Sequence, residues 1–194
     1  ADGRSVQLAL TLSAQHESVT VESLSVRAGD ARPKDPLVLS FGGSLAELGA
    51  ALRSFDLDGD GQADKLPTLS GGAYLALDRN GNGTIDDGSE LFGGRTGDGF
   101  GELAAFDSDG NGFIDAGDPV FSRLQLLNPT GAEATGDQLT DLTRAGVGAL
   151  STSRVATTYR TAGNGGAAGV VSSMGLYLKE DGTALPLEKL DLLL

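Results

Sequence analysis

The sequence predicts an α+β fold in which antiparallel β-hairpins surround a central pair of EF-hand-like calcium loops and a third, short calcium loop of the DxDxDG type. Three observations support this prediction. Apolar and polar residues alternate near both ends of the chain, as in RSVQLALTL and ALPLEKLDLLL. Apolar residues with helical spacing occur in the middle, and three segments there repeat one aspartate–glycine pattern. Alternation is typical of half-buried strands, whereas a spacing of three or four residues is typical of helices.

The predicted hairpins lie at the two ends of the chain. Residues 4–28 contain two alternating runs and predict an N-terminal β-hairpin. At the other end, EDGT at 180–183 separates GLYLK from ALPLEKLDLLL, which predicts a C-terminal hairpin with a tight turn. The glycine-rich stretch 161–169 predicts a flexible loop.

Short helices are predicted around the third aspartate-rich segment. The apolar residues with helical spacing are Phe100, Leu103 and Phe106 before this segment, and Val120, Phe121, Leu124 and Leu127 after it. They predict one helix that enters the segment and another that leaves it. Residues 137–145 (DQLTDLTRA) predict a further short helix that ends at Gly146.

Composition excludes several classes of function. The net charge of -13 argues against nucleic acid and anionic membranes as partners. The chain has no cysteine and a single histidine, His16. This composition argues against zinc sites and against Ser-His or Cys-His catalysis. No run approaches the roughly 20 apolar residues of a membrane span. Because the chain opens ADGRSVQ, without methionine or a signal peptide, we expect it to be a fragment of a larger protein.

Between Asp56 and Asp118 lie 14 of the 27 acidic residues, and three segments within this span share one pattern. Asp56–Asp64, Asp78–Asp86 and Asp107–Asp115 each have an oxygen-bearing side chain at positions 1, 3, 5 and 9, with glycine at position 6. Calcium requires six to eight oxygen ligands and a glycine for the sharp turn. Acidic glycine turns without a metal explain any one copy, but three copies favour calcium sites.

The segments, with their closing residues, are named loop one (56–64), loop two (78–90) and loop three (107–118). Positions 1, 3, 5, 7 and 9 and the closing residue supply the predicted ligands, with a backbone carbonyl at position 7. They are Asp56, Asp58, Asp60, Gln62 and Asp64 in loop one; Asp78, Asn80, Asn82, Thr84, Asp86 and Glu90 in loop two; and Asp107, Asp109, Asn111, Phe113, Asp115 and Asp118 in loop three.

The loops differ in how closely they follow the pattern. Asp118 stands at position 12 of loop three, whereas Glu90 stands one residue late in loop two. Ile85 and Ile114 both occupy position 8, where paired EF-hand loops exchange backbone hydrogen bonds, so loops two and three are expected to pair. Loop one has Pro67 at position 12 and closes with its ninth residue instead.

From residue 35 onward the chain resembles the calcium-dependent self-processing module of Frp-type RTX proteins, which Gram-negative bacteria secrete. The resemblance rests on DPLVL, FDLDGDG, LDRNGNGTIDDGSELFG, LAAFDSDGNGFIDAGDPVF and GLYLKEDGT. It implies an N-terminal segment, 1–34, and a calcium-binding module, 35–194. It also implies that calcium folds the module, which then cleaves an Asp-Pro bond at its own edge. Here that bond would join Asp35 to Pro36, and the freed aspartyl group would pass to a lysine as an isopeptide.

Three functions remain in view. The leading one is a non-enzymatic calcium-binding module of a secreted or surface protein, located outside the cell or on the bacterial surface. The alternative is calcium-triggered cleavage of the Asp35–Pro36 bond. It is weakened because residues 40–44 (SFGGS) carry no carboxylate where the self-processing modules have a calcium loop. An intracellular calcium sensor is disfavoured, since Met174 is the only methionine available for a target groove.

Overall fold

The computed structural model describes residues 34–129, 138–162 and 168–193. It is 50% strand and 8% helix, and its described residues contain one α-helix. The prediction of an α+β fold built around EF-hand-like loops is therefore wrong, because the architecture is a curled antiparallel sheet. The predicted hairpin of residues 4–28 and residues 163–167 of the predicted loop at 161–169 lie outside the described residues. The two residues at each end of that predicted loop, 161–162 and 168–169, belong to strands.

Eleven strands and three short helical segments follow one another along the described chain. The strands are β1 (Leu37–Ser40), β2 (Glu47–Phe55), β3 (Asp64–Ser70), β4 (Gly72–Leu77), β5 (Phe113–Asp115), β6 (Leu124–Asn128), β7 (Gln138–Asp141), β8 (Val147–Ser151), β9 (Val155–Ala162), β10 (Ala168–Lys179) and β11 (Ala184–Leu193). The α-helix is α1 (Gly99–Ala104), and two 3-10 turns cover Gly88–Glu90 and Phe121–Arg123.

Nine of these strands form one antiparallel sheet. Its order is β5-β8-β10-β11-β1-β4-β6-β7, and β9 pairs with β10 beside β8. Strands β2 and β3 form a separate two-stranded hairpin. Strand β1 therefore lies in the middle of the large sheet, between β11 and β4.

The central strands are buried on both faces of the sheet. Leu37 and Leu39 of β1 pack into one core with Phe100 of α1, whereas Val38 packs into a second core with Tyr74 and residues of the β2–β3 hairpin. Successive side chains of a strand point to opposite faces, so a strand covered on both sides has no polar face. This explains why DPLVL and GAYLAL read as continuous apolar runs.

The helix predicted after loop three is wrong. The chain makes a 3-10 turn at Phe121–Arg123 and then forms strand β6, which pairs with β4 and β7. Leu126 faces one core and its neighbour Leu127 faces the other. The apolar spacing that indicated a helix instead reflects a strand buried on both faces, which periodicity does not distinguish over so few residues.

The helix predicted at 137–145 is also wrong. Residues 138–141 form β7, which pairs with β6 from Gln125 to Asn128, and the chain then turns towards β8. Sheet pairing has overridden a weak helical pattern here, as tertiary context often does. The short helix entering loop three and the C-terminal hairpin of β10 and β11 are both present. No helix among the described residues is long and apolar enough to cross a membrane.

A buried carboxyl group links β1 to β11 within the second core. Glu188 is 1% exposed and accepts a hydrogen bond from the Ser40 hydroxyl, which in turn accepts one from the Ala46 amide at 2.7 Å. The Tyr177 hydroxyl donates to the Ser40 carbonyl oxygen at 2.9 Å. Burial raises the pKa of Glu188 to about 7, so the fold favours the neutral acid.

Replacement of this acid should change how stability depends on pH. Because the folded-state pKa exceeds the ordinary value of 4.5, the contribution of neutral Glu188 is full below pH 4.5 and is lost as pH rises through about 7. Glu188→Gln keeps the acceptor oxygen without the titration. We expect its unfolding free energy, relative to wild type, to rise by on the order of 3 kcal/mol between pH 4.5 and 8.

Urea unfolding of both proteins in calcium at each pH measures this difference. Glu180→Gln, which removes an exposed acid beside the β10–β11 turn, is the matched control and should show little change. A constant offset between Glu188→Gln and wild type across this pH range would contradict the prediction.

Candidate metal sites and the Asp35–Pro36 bond

The three aspartate-rich loops occupy different places in the sheet architecture. Loop one connects β2 to β3, so it is the loop of a β-hairpin. Loop two follows β4 and ends with the 3-10 turn Gly88–Glu90. Loop three begins shortly after α1 and contains β5. Within residues 34–129 no loop lies between two α-helices, which is why the EF-hand arrangement does not form.

All three loops nevertheless share one hydrogen-bond frame. The amides of Gly59 and Gly61 donate to Oδ1 and Oδ2 of Asp56 at 2.8 and 3.0 Å. The same two bonds measure 2.6 and 2.8 Å at Asp78 in loop two, and 2.8 and 2.9 Å at Asp107 in loop three. In each loop the first carboxylate is therefore held by the amides of the fourth and sixth residues.

Glycine at the fourth and sixth positions allows this frame. The six glycines have φ angles between 71° and 86°. Side chains other than glycine are strained in this region, since their Cβ approaches the neighbouring carbonyl oxygen. The sequence pattern emphasised the sixth position, and the structure shows that the fourth position has the same requirement.

Acidic oxygens converge in two of the loops. Oxygens of Asp56, Asp58 and Asp60 lie within 4.8 Å of one another in loop one. In loop three, oxygens of the first, third and closing residues also lie within 4.8 Å of one another; these residues are Asp107, Asp109 and Asp118. Like charges this close repel, and oxygen donors are the ligands that calcium prefers. These residues could therefore hold a divalent cation.

Loop two has amides at its third and fifth positions. The Nδ2 atoms of Asn80 and Asn82 donate to Oδ2 of Asp86 at 3.3 and 2.5 Å, and the Thr84 hydroxyl donates to Oδ1 at 2.8 Å. Hydrogen bonds from Asn82, Thr84 and Asn80 lower the pKa of Asp86. Loop two thus keeps the geometry of the other loops with less negative charge.

Glu90 takes the same place in loop two that Asp118 takes in loop three. Asp118 accepts hydrogen bonds from the amides of the second and ninth loop residues at 2.7 and 3.2 Å, and it is 3% exposed. Glu90 accepts them from the same positions at 3.0 and 2.9 Å, and it is 2% exposed. The longer glutamate side chain compensates for the one-residue shift in sequence.

The predicted pairing of loops two and three is wrong. Ile114 belongs to β5 and pairs with Leu150 of β8. Ile85 packs into the other core, so the two position-8 residues do not face each other. Loop two instead adjoins loop one, where the carbonyl oxygen of Asp56 accepts a hydrogen bond from the Gly88 amide at 2.8 Å.

A lysine lies against the carboxylates of loop one. The Lys34 Nζ is 3.4 Å from Oδ2 of Asp58 and forms a salt bridge and hydrogen bond with Oδ1 of Asp64. The other carboxylate oxygen of Asp64 accepts the Leu57 amide at 3.3 Å. The negative charge of loop one is thus partly compensated by an ammonium group from outside the loop.

Asp35 follows this lysine and pairs with a different one. It is 6% exposed, and its Oδ2 lies 2.8 Å from the Nζ of Lys189 on β11. The same ammonium is 3.3 Å from Oδ1 of Asp191. Burial raises the pKa of Asp35, although the hydrogen bond from Lys189 acts in the opposite direction.

The backbone on either side of the Asp35–Pro36 bond is tightly held. The Pro36 carbonyl oxygen accepts the Leu190 amide at 3.1 Å. Gly93, with a φ of 89°, lies against the Asp35 carbonyl oxygen, since a Cβ at that glycine would be 2.3 Å away. The peptide bond is therefore fixed between β11 and the segment after loop two.

The charged partners of this region were missed in the sequence. Residues 40–44, noted there only for lacking a carboxylate, contain Ser40, whose partner is the buried Glu188. Lys189 and Lys34 are the partners of Asp35 and of loop one. A signal was present, because Glu188 and Lys189 interrupt the apolar run of a C-terminal strand, and charged groups in such positions are usually paired.

Comparison with known proteins gives one family. The model of the SPM domain matches residues 37–192, about four-fifths of the chain. The matched range begins directly after Pro36 and includes all three loops. No curated protein matches the chain. Since the match covers well over half of its length, the chain belongs to the SPM domain family.

Proposed function

We propose that this chain is a calcium-binding module of a secreted or surface-exposed bacterial protein, folded and stabilised by calcium. The observation that carries the proposal is the common frame of the three loops, in which amides at the fourth and sixth positions orient the first carboxylate. Convergence of acidic oxygens within 4.8 Å in loops one and three supports it. The resemblance to calcium-dependent modules of Frp-type RTX proteins agrees with it.

The donor set favours calcium over other metals. The side chains and backbone of each loop offer oxygen donors without histidine, and the chain has no cysteine. Soft or imidazole ligands would be needed for a typical zinc or copper site. Magnesium prefers a strict octahedron and retains several waters, whereas a flexible loop with six or more oxygens suits calcium.

Binding would be coupled to folding through charge. Loop three has four carboxylates among its predicted ligands, and loop one also has four. Mutual repulsion of these groups opposes the folded loops until a cation neutralises them. Loop one joins the two strands of a hairpin and loop three leads into β6, so loss of either loop would weaken a different core. Extracellular calcium modules work at about 10⁻⁴–10⁻³ M, which agrees with the proposed location.

Calcium should raise the melting temperature. A site that is held at 100 times its dissociation constant adds about 2.7 kcal/mol to the free energy of unfolding, provided that the unfolded chain does not bind the ion. We expect melting to occur at a clearly higher temperature in millimolar calcium than in chelator. Magnesium at the same concentration is the control and should have a smaller effect. Equal melting temperatures in calcium and chelator would contradict the proposal.

Loop three should contribute more to this gain than loop one. Asp109→Asn and Asp58→Asn change matched third positions, and each keeps an oxygen that can accept the loop amide. Loop one is partly neutralised by Lys34, so its folded form depends less on calcium. We expect Asp109→Asn to reduce the calcium-induced rise in melting temperature more than Asp58→Asn does. The opposite order would show that the hairpin loop is the main calcium site.

A second candidate function is calcium-triggered cleavage of the Asp35–Pro36 bond, as the resemblance implies. The observation that favours it is the buried Asp35 carboxylate with the Lys189 ammonium at 2.8 Å, next to a peptide bond held on both sides. Fixed orientation of a nucleophile supplies much of the barrier reduction in intramolecular reactions. The resemblance further implies transfer of the aspartyl group to a lysine amine.

The reaction balances without a cofactor. The Asp35 carboxylate oxygen bonds to its own main-chain carbonyl carbon, the bond from that carbon to the Pro36 nitrogen breaks, and a cyclic anhydride forms. The Pro36 nitrogen takes a proton, for which Lys189 is a nearby donor, and departs as a secondary amine. Water then opens the anhydride, or a lysine amine attacks it to give an isopeptide.

The two candidate functions predict different products after hours in millimolar calcium at neutral pH. A binding module stays whole, whereas cleavage yields fragments 1–35 and 36–194 with a free Pro36 amino terminus, and Asp35→Ala abolishes them. Transfer to a lysine within residues 36–194 of the same chain leaves the intact mass unchanged, so peptide mapping must accompany mass measurement. The Asp118–Pro119 bond is an internal control. Equal cleavage at both bonds would indicate ordinary acid lability and contradict the second candidate.

A further inference from the structure

Lys34 contributes a positive charge to the oxygen cluster of loop one. Its Nζ lies 3.4 Å from Oδ2 of Asp58 and contacts Oδ1 of Asp64, which are the third and ninth residues of the loop. The side chain of Lys34 is 20% exposed, and that of Asp58 is 12% exposed. The Lys34 side chain is thus mostly shielded from solvent.

This ammonium contacts carboxylates of two predicted calcium ligands of loop one, one of which, Asp58, belongs to the convergent oxygen cluster. Calcium binds oxygen ligands at about 2.3–2.6 Å, and the third and ninth positions are among its usual ligands. An ammonium that keeps its contacts to the same two carboxylates would lie close to the ion, and two like charges at this distance repel strongly in a partly buried site. The two cations would therefore compete for the same carboxylates.

We propose that Lys34 is a built-in competitor at loop one, so that calcium binds there only when the ammonium leaves. This inference rests on the proposed calcium-binding function and adds a regulatory contact to one of its three sites. The backbone of Lys34 stays fixed, since its carbonyl oxygen accepts the Leu192 amide at 3.1 Å. Calcium at loop one consequently frees a side chain immediately before the Asp35–Pro36 bond. Loop one thus requires more calcium than it would with a neutral residue at position 34.

Glycine amides provide a separate readout for each loop. The amides of Gly61, Gly83 and Gly112 donate to the first carboxylate of loops one, two and three. Calcium bound to that carboxylate polarises the bond and shifts the amide resonance. Titration of ¹⁵N-glycine-labelled protein with calcium, followed by NMR, therefore gives a midpoint for every loop in one experiment.

Lys34→Gln is the test variant and Lys65→Gln is its matched control. Lys65 is exposed and adjoins Asp64 at the start of β3, so its replacement removes an equal charge from the same end of the hairpin. We expect Lys34→Gln to lower the calcium midpoint of Gly61 by about tenfold or more, since a partly buried charge pair is lost. The change for Lys65→Gln should be under about threefold, as for an exposed charge. The midpoints of Gly83 and Gly112 should stay the same in both variants.

Amine acetylation of the wild-type protein tests the same inference without a substitution. We expect calcium to raise the acetylation rate of Lys34, with the same midpoint as the Gly61 shift, and to leave Lys65 unchanged. Equal Gly61 midpoints in wild type and Lys34→Gln, or a Lys34 acetylation rate that does not respond when Gly61 shifts, would overturn the inference and leave the calcium function intact. If no glycine resonance of the wild-type protein shifts, even when calcium reaches millimolar concentration, both this inference and the proposed calcium-binding function are overturned.

Discussion

The rest of the structure depends on one constraint: strand β1 is buried on both faces and paired along both edges. Its residues face two separate cores, while β11 and β4 take its backbone hydrogen bonds. Any polar group on or beside this strand must therefore find a partner inside the protein, since an unpaired buried group is costly. Ser40 donates a hydrogen bond to Glu188, and Asp35 forms a salt bridge with Lys189.

These pairs lie beside a strand that is buried on both faces. Both partners belong to β11, which supplies the acid that pairs with Ser40 at the end of β1 and the ammonium that pairs with Asp35 just before β1 begins. The Asp35–Pro36 bond lies where β1 begins, against Gly93 on the other side. A short segment thus combines a buried carboxylate, a lysine and a fixed backbone, which is the arrangement that the cleavage proposal uses.

The acidic loops carry negative charge that the fold itself only partly balances. Loop one receives Lys34, while Asp118 and Glu90 receive backbone amides from their own loops. Neutral amide donors orient a carboxylate without cancelling its charge. The net charge of -13 and the convergence of acidic oxygens therefore agree with divalent cations as a further source of stability.

The sequence by itself determined the features that depend on neighbouring residues. The C-terminal hairpin closes over a short turn, so local pattern was sufficient to predict it. The repeated aspartate–glycine pattern was also visible in the sequence, and its hydrogen-bond frame is local, because it joins a carboxylate to amides three and five residues further on. That frame itself was read only from the structure. The tertiary structure decided the rest. Whether residues 124–128 and 138–141 became strands depended on partners elsewhere in the sheet, and Lys34 and Glu188 meet their partners 30 and 148 residues away. Apolar spacing does not encode such distant pairing, because a short strand buried on both faces and a short helix present the same residues.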